Sequence, residues 1–301
     1  FSNNFKTKKF LTMGTALVAL LFLAYSAGLA MRWYISGHAP WSNGYETMLY
    51  VGWATLLSGF VFLKKSHITL AVTTILASLI LMVAGMSWMN PEITNLVPVL
   101  KSYWLIVHVA IITASYGFFG VAALVGFLNL IIMAFRSPKN LKRASFTIVE
   151  LAMIIELSLI VGLVLMTIGC FIGGVWANES WGRYWGWDPK ETWALVTILV
   201  YSFIIHLRKV PGMYTHFTLS AMGLVGFSSV MMTFFGVNYY LSGMHSYGAG
   251  DAPEVPNFVF VTIAVVIVAI ILAARSENKY GDAEKVVKLE VQEEKIGVQA
   301  D

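Results

Sequence analysis

Eight apolar runs of about twenty residues each leave this 301-residue chain few folds to choose from. A run of that length crosses a bilayer as one helix. Inside lipid, only helices and closed barrels satisfy their own backbone hydrogen bonds. The runs fall at about 11–31, 46–63, 67–86, 103–135, 147–172, 191–208, 216–237 and 257–274. Charged residues make up 12% of the chain, against about 25% in soluble domains. The expected fold class is an all-α integral membrane protein with about eight transmembrane helices. The fourth run is long enough to tilt or to project beyond the bilayer.

The basic residues set the expected orientation. Lys6, Lys8, Lys9, Lys64, Lys65, Arg136, Lys139, Lys142, Arg143, Arg208, Lys209, Arg275, Lys279, Lys285, Lys288 and Lys295 all fall on one side of the alternating spans. Only Arg32, Lys101, Arg183 and Lys190 fall on the other. The positive-inside rule then puts both termini in the cytoplasm. The longer loops 32–45, 87–102, 173–190 and 238–256 face outward, and function is expected there. A membrane-spanning domain would occupy 1–275, with a tryptophan-rich loop at about 173–193, followed by a charged cytoplasmic tail at 276–301.

The net charge of +4 is spread over loops, so no nucleic-acid partner is implied. Cys170 is the only cysteine, which excludes an internal disulfide and a dithiol redox motif. The chain has no initiator Met and no signal-peptide cleavage pattern. It is expected to be a fragment, a processed product or one half of a longer polypeptide.

Chemistry concentrates in Trp181-Gly-Arg-Tyr-Trp185-Gly-Trp187-Asp188-Pro-Lys-Glu191-Thr-Trp193, with Trp176 just upstream. Trp33, Trp41 and Trp88 read as an interfacial aromatic belt, but belt residues do not crowd into one short loop. Exposed indoles in such number are an aggregation hazard unless something flat and apolar covers them. Asp188, Pro189 and Glu191 have the spacing of an N-cap, a first-turn proline and a capping-box acid. They predict that the sixth helix starts here with its positive dipole end outward. Such a surface suits a planar apolar ligand with anionic groups: rings stack on its face, while Arg183, Lys190 and free backbone N–H groups receive carboxylates. Haem has that shape and charge.

Six histidines are available: His38, His67, His108, His206, His216 and His245. The topology puts His38, His108 and His245 on the outer side. His108 lies five residues below the outer end of the fourth span, roughly 8 Å at 1.5 Å per residue. His245 lies in the last outer loop. Two imidazoles flanking an aromatic shelf are a donor set for haem iron. His206 sits roughly 22 Å further along the sixth helix than Glu191 and is too distant to share that iron. Glu150 and Glu156 lie in the fifth span, and Glu156 is expected to be protonated or paired.

The run from Trp176 to Trp193 resembles the WWD signature of haem-handling membrane proteins. It looks most like CcsA, the membrane subunit of the system II cytochrome c synthase, which also occurs fused to CcsB. Gly236-Val-Asn-Tyr-Tyr-Leu-Ser-Gly-Met-His-Ser-Tyr247, Tyr45-Glu46 and Ser102-Tyr-Trp-Leu-Ile-Val-His108 extend the likeness over about 40–275. CcmC and CcmF of the system I pathway share a WWD loop, but the Asp-Pro-Lys-Glu-Thr-Trp continuation is closer to CcsA.

The resemblance implies that His108 and His245 are the external axial ligands of haem b. It implies that His206 is one of two intramembrane ligands of an uptake site, the other coming from a CcsB-like subunit or fused half. Trp176, Trp181, Trp185, Trp187, Asp188, Trp193 and Arg183 would form the haem-contacting WWD region. The implied activity is that of a holocytochrome c synthase of the haem lyase type: haem is moved outward and presented for thioether attachment to the CxxCH segment of apocytochrome c. The implied setting is the inner (cytoplasmic) or a thylakoid-type membrane, with proteins of a thiol-reducing pathway as further partners. Two other readings stay open from the residues alone. One is an exporter or chaperone that hands haem to a separate carrier without attachment. The other is a non-haem transporter or assembly factor whose tryptophans only anchor and pack.

Overall fold

The computed structural model describes residues 5–63, 67–87, 89–93, 95–96, 100–245 and 254–298, with side chains between 8 and 281, His67 excepted. Trp88, Lys64, Lys65, Tyr247 and the charges of the tail beyond 281 lie outside this description. Among the described residues the regular structure is helical, without strands. The helices are α1 (Phe5–Ser36), α2 (Gly44–Phe62), α3 (His67–Ala84), α4 (Tyr103–Ala134), α5 (Leu141–Trp181), α6 (Pro189–His206), α7 (His216–Met231), α8 (Val237–Tyr240) and α9 (Asn257–Val298). A π-helical turn, Met232–Gly236, joins α7 to α8. Six helical segments are long and apolar enough to cross a membrane; α3, apolar over Ile68–Ala84, is shorter. The protein is an all-α, multi-pass membrane protein.

Two elements run further than their apolar runs. The fifth helix was expected over 147–172, with a loop from 173. Instead α5 has 41 residues and ends at Trp181, about 60 Å at 1.5 Å per residue. Nothing in 173–181 breaks a helix strongly enough to stop it. Gly182 does so, taking a left-handed φ of 71° and donating its N–H to the Asn178 carbonyl at 2.9 Å. The non-helical part of the tryptophan stretch is therefore only 182–188. Likewise α9 continues unbroken past Ser276 to Val298. Arg136, at the end of α4, reaches Ser276 Oγ at 3.3 Å and Glu277 Oε2 at 2.6 Å.

The core forms where α4, α5, α6 and α7 meet. Phe119, Val121, Val125, Leu151, Ile155, Leu159 and Met166 are fully enclosed. Glycines let the backbones approach, as small residues do between membrane helices. A Cβ on Gly126 would lie 2.7 Å from the Ser220 carbonyl of α7, and one on Gly162 would lie 2.7 Å from the Phe119 ring. Phe119 in turn stacks on Tyr201 of α6 at 3.7 Å between ring centroids. Asn129 of α4 donates to Ser220 Oγ of α7 at 3.0 Å and to the Ile148 carbonyl of α5 at 3.3 Å, which joins three helices through one amide. By contrast, α1 and α9 show long exposed apolar faces, from Phe10 to Met31 and from Phe258 to Leu272, as helices bordering lipid do.

At the tryptophan-bearing end the loops are tied by one enclosed acid. Glu46, in the first turn of α2, accepts from Arg32 Nε at 2.8 Å, Ser42 N at 2.8 Å and Ser42 Oγ at 2.7 Å. Arg32 also donates to the Pro91 carbonyl at 2.9 Å. The end of α1, the start of α2 and the loop after α3 are held together in this way. The Glu46 side chain is 1% exposed, so Arg32→Ala strands a buried carboxylate. The expected loss is about 3 kcal/mol, read as a lower thermal midpoint in detergent. Glu46→Gln, which leaves no charge behind, is expected to cost less.

Candidate functional site

The start of α6 organises the site. Asp188 caps the helix, its Oδ1 accepting the Lys190 N–H at 2.9 Å. Glu191 returns the capping box, its Oε2 accepting the Asp188 N–H at 3.2 Å and the Gly186 N–H at 2.7 Å. The cap therefore forms as its residue spacing predicts. The same Asp188 carboxylate reaches the loop that follows α8, accepting the Met244 N–H at 2.6 Å and the His245 Nδ1–H at 3.0 Å. Gly243 makes this approach possible, since a Cβ there would sit 2.4 Å from Asp188 Oδ2. Trp187, just before the cap, holds a positive φ of 59°. That is a strained conformation for a bulky residue, of the kind that clusters at functional sites.

His108 and His245 line one cavity of about 470 Å³ between α2, α4, α5, α6 and the 232–245 segment, whereas His38 does not. That volume falls in the roughly 300–1,000 Å³ range of ligand pockets. His108, on α4, donates Nδ1–H to the Gly169 carbonyl at 2.7 Å. A Cβ on Gly173 would lie 2.4 Å from its ring, so the glycine makes the slot that the imidazole fills. Trp176 is 1% exposed and joins the two histidines. Its ring stacks with His108 at 6.3 Å and 12°, and meets His245 at 5.4 Å and 64°. Trp181 meets His245 edge-on at 4.8 Å. In both histidines Nδ1 is engaged with an oxygen, which leaves Nε2 as the lone-pair nitrogen. Metal-ligating histidines are oriented in this manner.

The donor set fits haem. Among the described residues no three His, Cys, Asp or Glu side chains gather to hold a metal ion. Two imidazoles on one cavity suit an iron that brings four equatorial nitrogens of its own. The Trp176 indole N–H is enclosed without an acceptor.

The remaining predicted residues divide. Trp185 and Lys190 line the cavity. Trp187 is 70% exposed and meets only the edge of Trp185, at 5.7 Å. Trp193 does not line the cavity; it is half-buried in the first turns of α6, and its backbone carbonyl accepts from Thr197 and Thr233. Arg183 was expected to receive ligand carboxylates but does not line the cavity. It faces Glu191 at 3.7 Å, the Trp181 ring at 5.8 Å and Met244 Sδ at 2.9 Å. His206 lies at the opposite end of α6, exposed, its Nδ1 donating to the Ser202 carbonyl at 2.7 Å. Glu156 pairs with Arg208, which meets the expectation of a partner. Trp41, Tyr239 and Asn238 also line the cavity. Trp41 had been read as belt, and no local spacing marks Asn238 as a cavity residue.

The fold is that of a multi-pass membrane protein, and the sequence places it among proteins of cytochrome c assembly. Residues 41–245 match the family model described as cytochrome C assembly protein. Over 233 residues the chain is 49% identical to the NrfI protein of Wolinella succinogenes, covering 77% of this chain and 26% of that protein. It is 32% identical over 266 residues to the cytochrome c biogenesis protein CcsA of Guillardia theta, covering 81% and 88% of the two. The CcsA of Prochlorococcus marinus MIT 9303 is 35% identical over 272 residues, covering 78% and 83%. The chain thus spans about a quarter of NrfI and most of the CcsA proteins. The chain belongs to the CcsA family of cytochrome c biogenesis proteins, a membership that implies haem handling.

Burial alone would raise the Asp188 carboxyl. The Lys190 N–H, the charge of His245, the Met244 N–H and the His245 hydrogen bond outweigh it and hold the group below its usual value. Burial pushes the His245 imidazole below its usual value, Lys190 adds to the push, and Asp188 opposes it. Both depressed groups favour the folded clamp at neutral pH. The His245 contribution is lost as pH falls from about 6.5 through its lower folded value, and that of Asp188 at still lower pH. In the haem-free protein the Met244 amide is therefore expected to be protected at pH 7. Protection should fall on acidification, after correction for intrinsic exchange, and in Asp188→Ala at neutral pH. Asp188→Ala also loses a cap of about 1 kcal/mol. Hydrogen exchange by mass spectrometry checks both.

Proposed function

We propose that this protein holds haem b at its tryptophan-bearing end and presents it for covalent attachment to apocytochrome c. The observation that carries the reading is the paired arrangement of His108 and His245. They line one cavity, each has Nδ1 tied to an oxygen, and the Trp176 ring contacts both. In this reading the two Nε2 atoms are the axial ligands, and Trp176, Trp181 and Trp185 cover the ligand's apolar surface. The tryptophan end is extracytoplasmic and both termini are cytoplasmic, in an inner or thylakoid-type membrane.

The chain's own part in the reaction is to position. A CxxCH segment of apocytochrome c supplies a histidine that replaces one axial imidazole. Each of its two thiols adds across a vinyl group: one S–C bond forms, the thiol hydrogen goes to the other vinyl carbon, and nothing leaves. Holding vinyl and thiol together makes the addition local rather than bimolecular. A thiol-reducing pathway keeps both cysteines reduced. His206, exposed beside Phe203 with Nε2 unengaged, is half of an uptake site that a CcsB-like partner completes.

The absorption spectrum of the purified, haem-loaded protein tests this. The expected result is bis-imidazole bands that are lost in His108→Gly and in His245→Gly and restored in each by added imidazole. Unaltered bands in both variants would remove the ligand assignment. Co-expression with an apocytochrome, followed by a gel stain for covalent haem, separates attachment from haem transfer alone.

A further inference from the structure

Lys190 occupies the second position of α6 and lines the cavity shared by His108 and His245. Its ammonium has one partner among the described residues, Asn238 Oδ1 at 2.5 Å. The two acids beside it in sequence are committed elsewhere. Asp188 serves the Lys190 and Met244 amides and His245, and Glu191 serves the Gly186 and Asp188 amides and faces Arg183. An ammonium drawn out of bulk water is normally paired with a carboxylate. This one faces a cavity instead.

Asn238 strengthens the case. Its Oδ1 is taken by the lysine, so its amide nitrogen, with two hydrogens to donate, is the end that remains. No acceptor for that nitrogen occurs among the described residues. The π-helical turn at Met232–Gly236 immediately precedes α8, which brings Asn238 to the cavity wall beside Lys190. A cation whose hydrogen-bond partner is a neutral amide, and an amide nitrogen without an acceptor, thus meet at one cavity.

We propose that Lys190 and Asn238 form an anion subsite that takes a carboxylate of the cavity's ligand. Resting on the function proposed above, that carboxylate is a haem propionate. The acid edge of the macrocycle then turns toward the start of α6 and α8. The cavity is selective for porphyrin acids over their esters, and Arg183, tied outside the cavity, contributes nothing to that choice.

Titration of the detergent-purified full chain with iron protoporphyrin IX and with its dimethyl ester, followed by the Soret band, tests the subsite. The wild-type chain is expected to bind the diacid at least about tenfold more tightly, the size of one charge-assisted hydrogen bond. Lys190→Met should bring the diacid down to the affinity of the ester and leave ester binding unchanged, which also shows that the variant folds. Lys190→Arg should keep part of the preference, Asn238→Leu should reduce it, and Arg183→Met should leave it intact. Equal binding of the two porphyrins by the wild-type chain, or a preference that survives Lys190→Met, would overturn the subsite while the haem function stands. Binding of neither porphyrin would bring down both.

Discussion

One carboxylate holds the candidate site together. Asp188 ends the irregular segment, starts α6 and grips the loop that carries His245, all through short hydrogen bonds from groups that would otherwise lack partners. Loop 241–245 has no regular structure of its own. The position of the His245 imidazole therefore follows the start of α6. Because α6 is stacked on α4 through Tyr201 and Phe119, that end is fixed to the same core that carries His108. The two histidines are 137 positions apart in the chain, yet one packed bundle and one acid relate them.

Absence of side chains shapes the site as much as their presence. Gly162 admits the Phe119 ring, Gly173 admits the His108 ring, and Gly243 admits the Asp188 carboxylate. A β-carbon at any of these positions would push apart the elements that make the cavity. The π-helical turn works in the same sense. Helix propagation continues through it, and Thr233, Phe234, Asn238 and Tyr239 all line the cavity. Rigid helices, not mobile loops, supply most of its wall, which suits a task of holding a flat ligand at a set angle.

The opposite end of α6 shows a different economy. Arg208 pairs with Glu156 and lies over the Tyr214 ring at 5.6 Å. Burial pushes the Tyr214 hydroxyl up to about 12, with the charge of Glu156 acting in the same direction. His206 stands apart from this cluster on an exposed face. Its Nδ1 is bonded to the Ser202 carbonyl of its own helix.

Much of this was legible from residue order alone, because the governing rules are local. Hydropathy over twenty residues marks a membrane helix, and Asp-Pro-x-Glu marks the α6 cap, since the groups involved lie within one turn of each other. Trp176, Trp181 and Trp185 crowd a single stretch, which marked where the site would gather, and two of the three, Trp176 and Trp185, line the cavity. What could not be read is what depends on distance in the chain. The turning of Arg183 toward Glu191 and Met244 and the exposure of Trp187 depend on how the start of α6 and the 241–245 loop come together. Trp41 and Asn238 join the cavity only because α2 and α8 pack beside α4 and α6. The chain by itself determined the class of fold and the donors available. Tertiary packing decided which donors share a space, because a cavity is a property of several helices at once and no single segment encodes it.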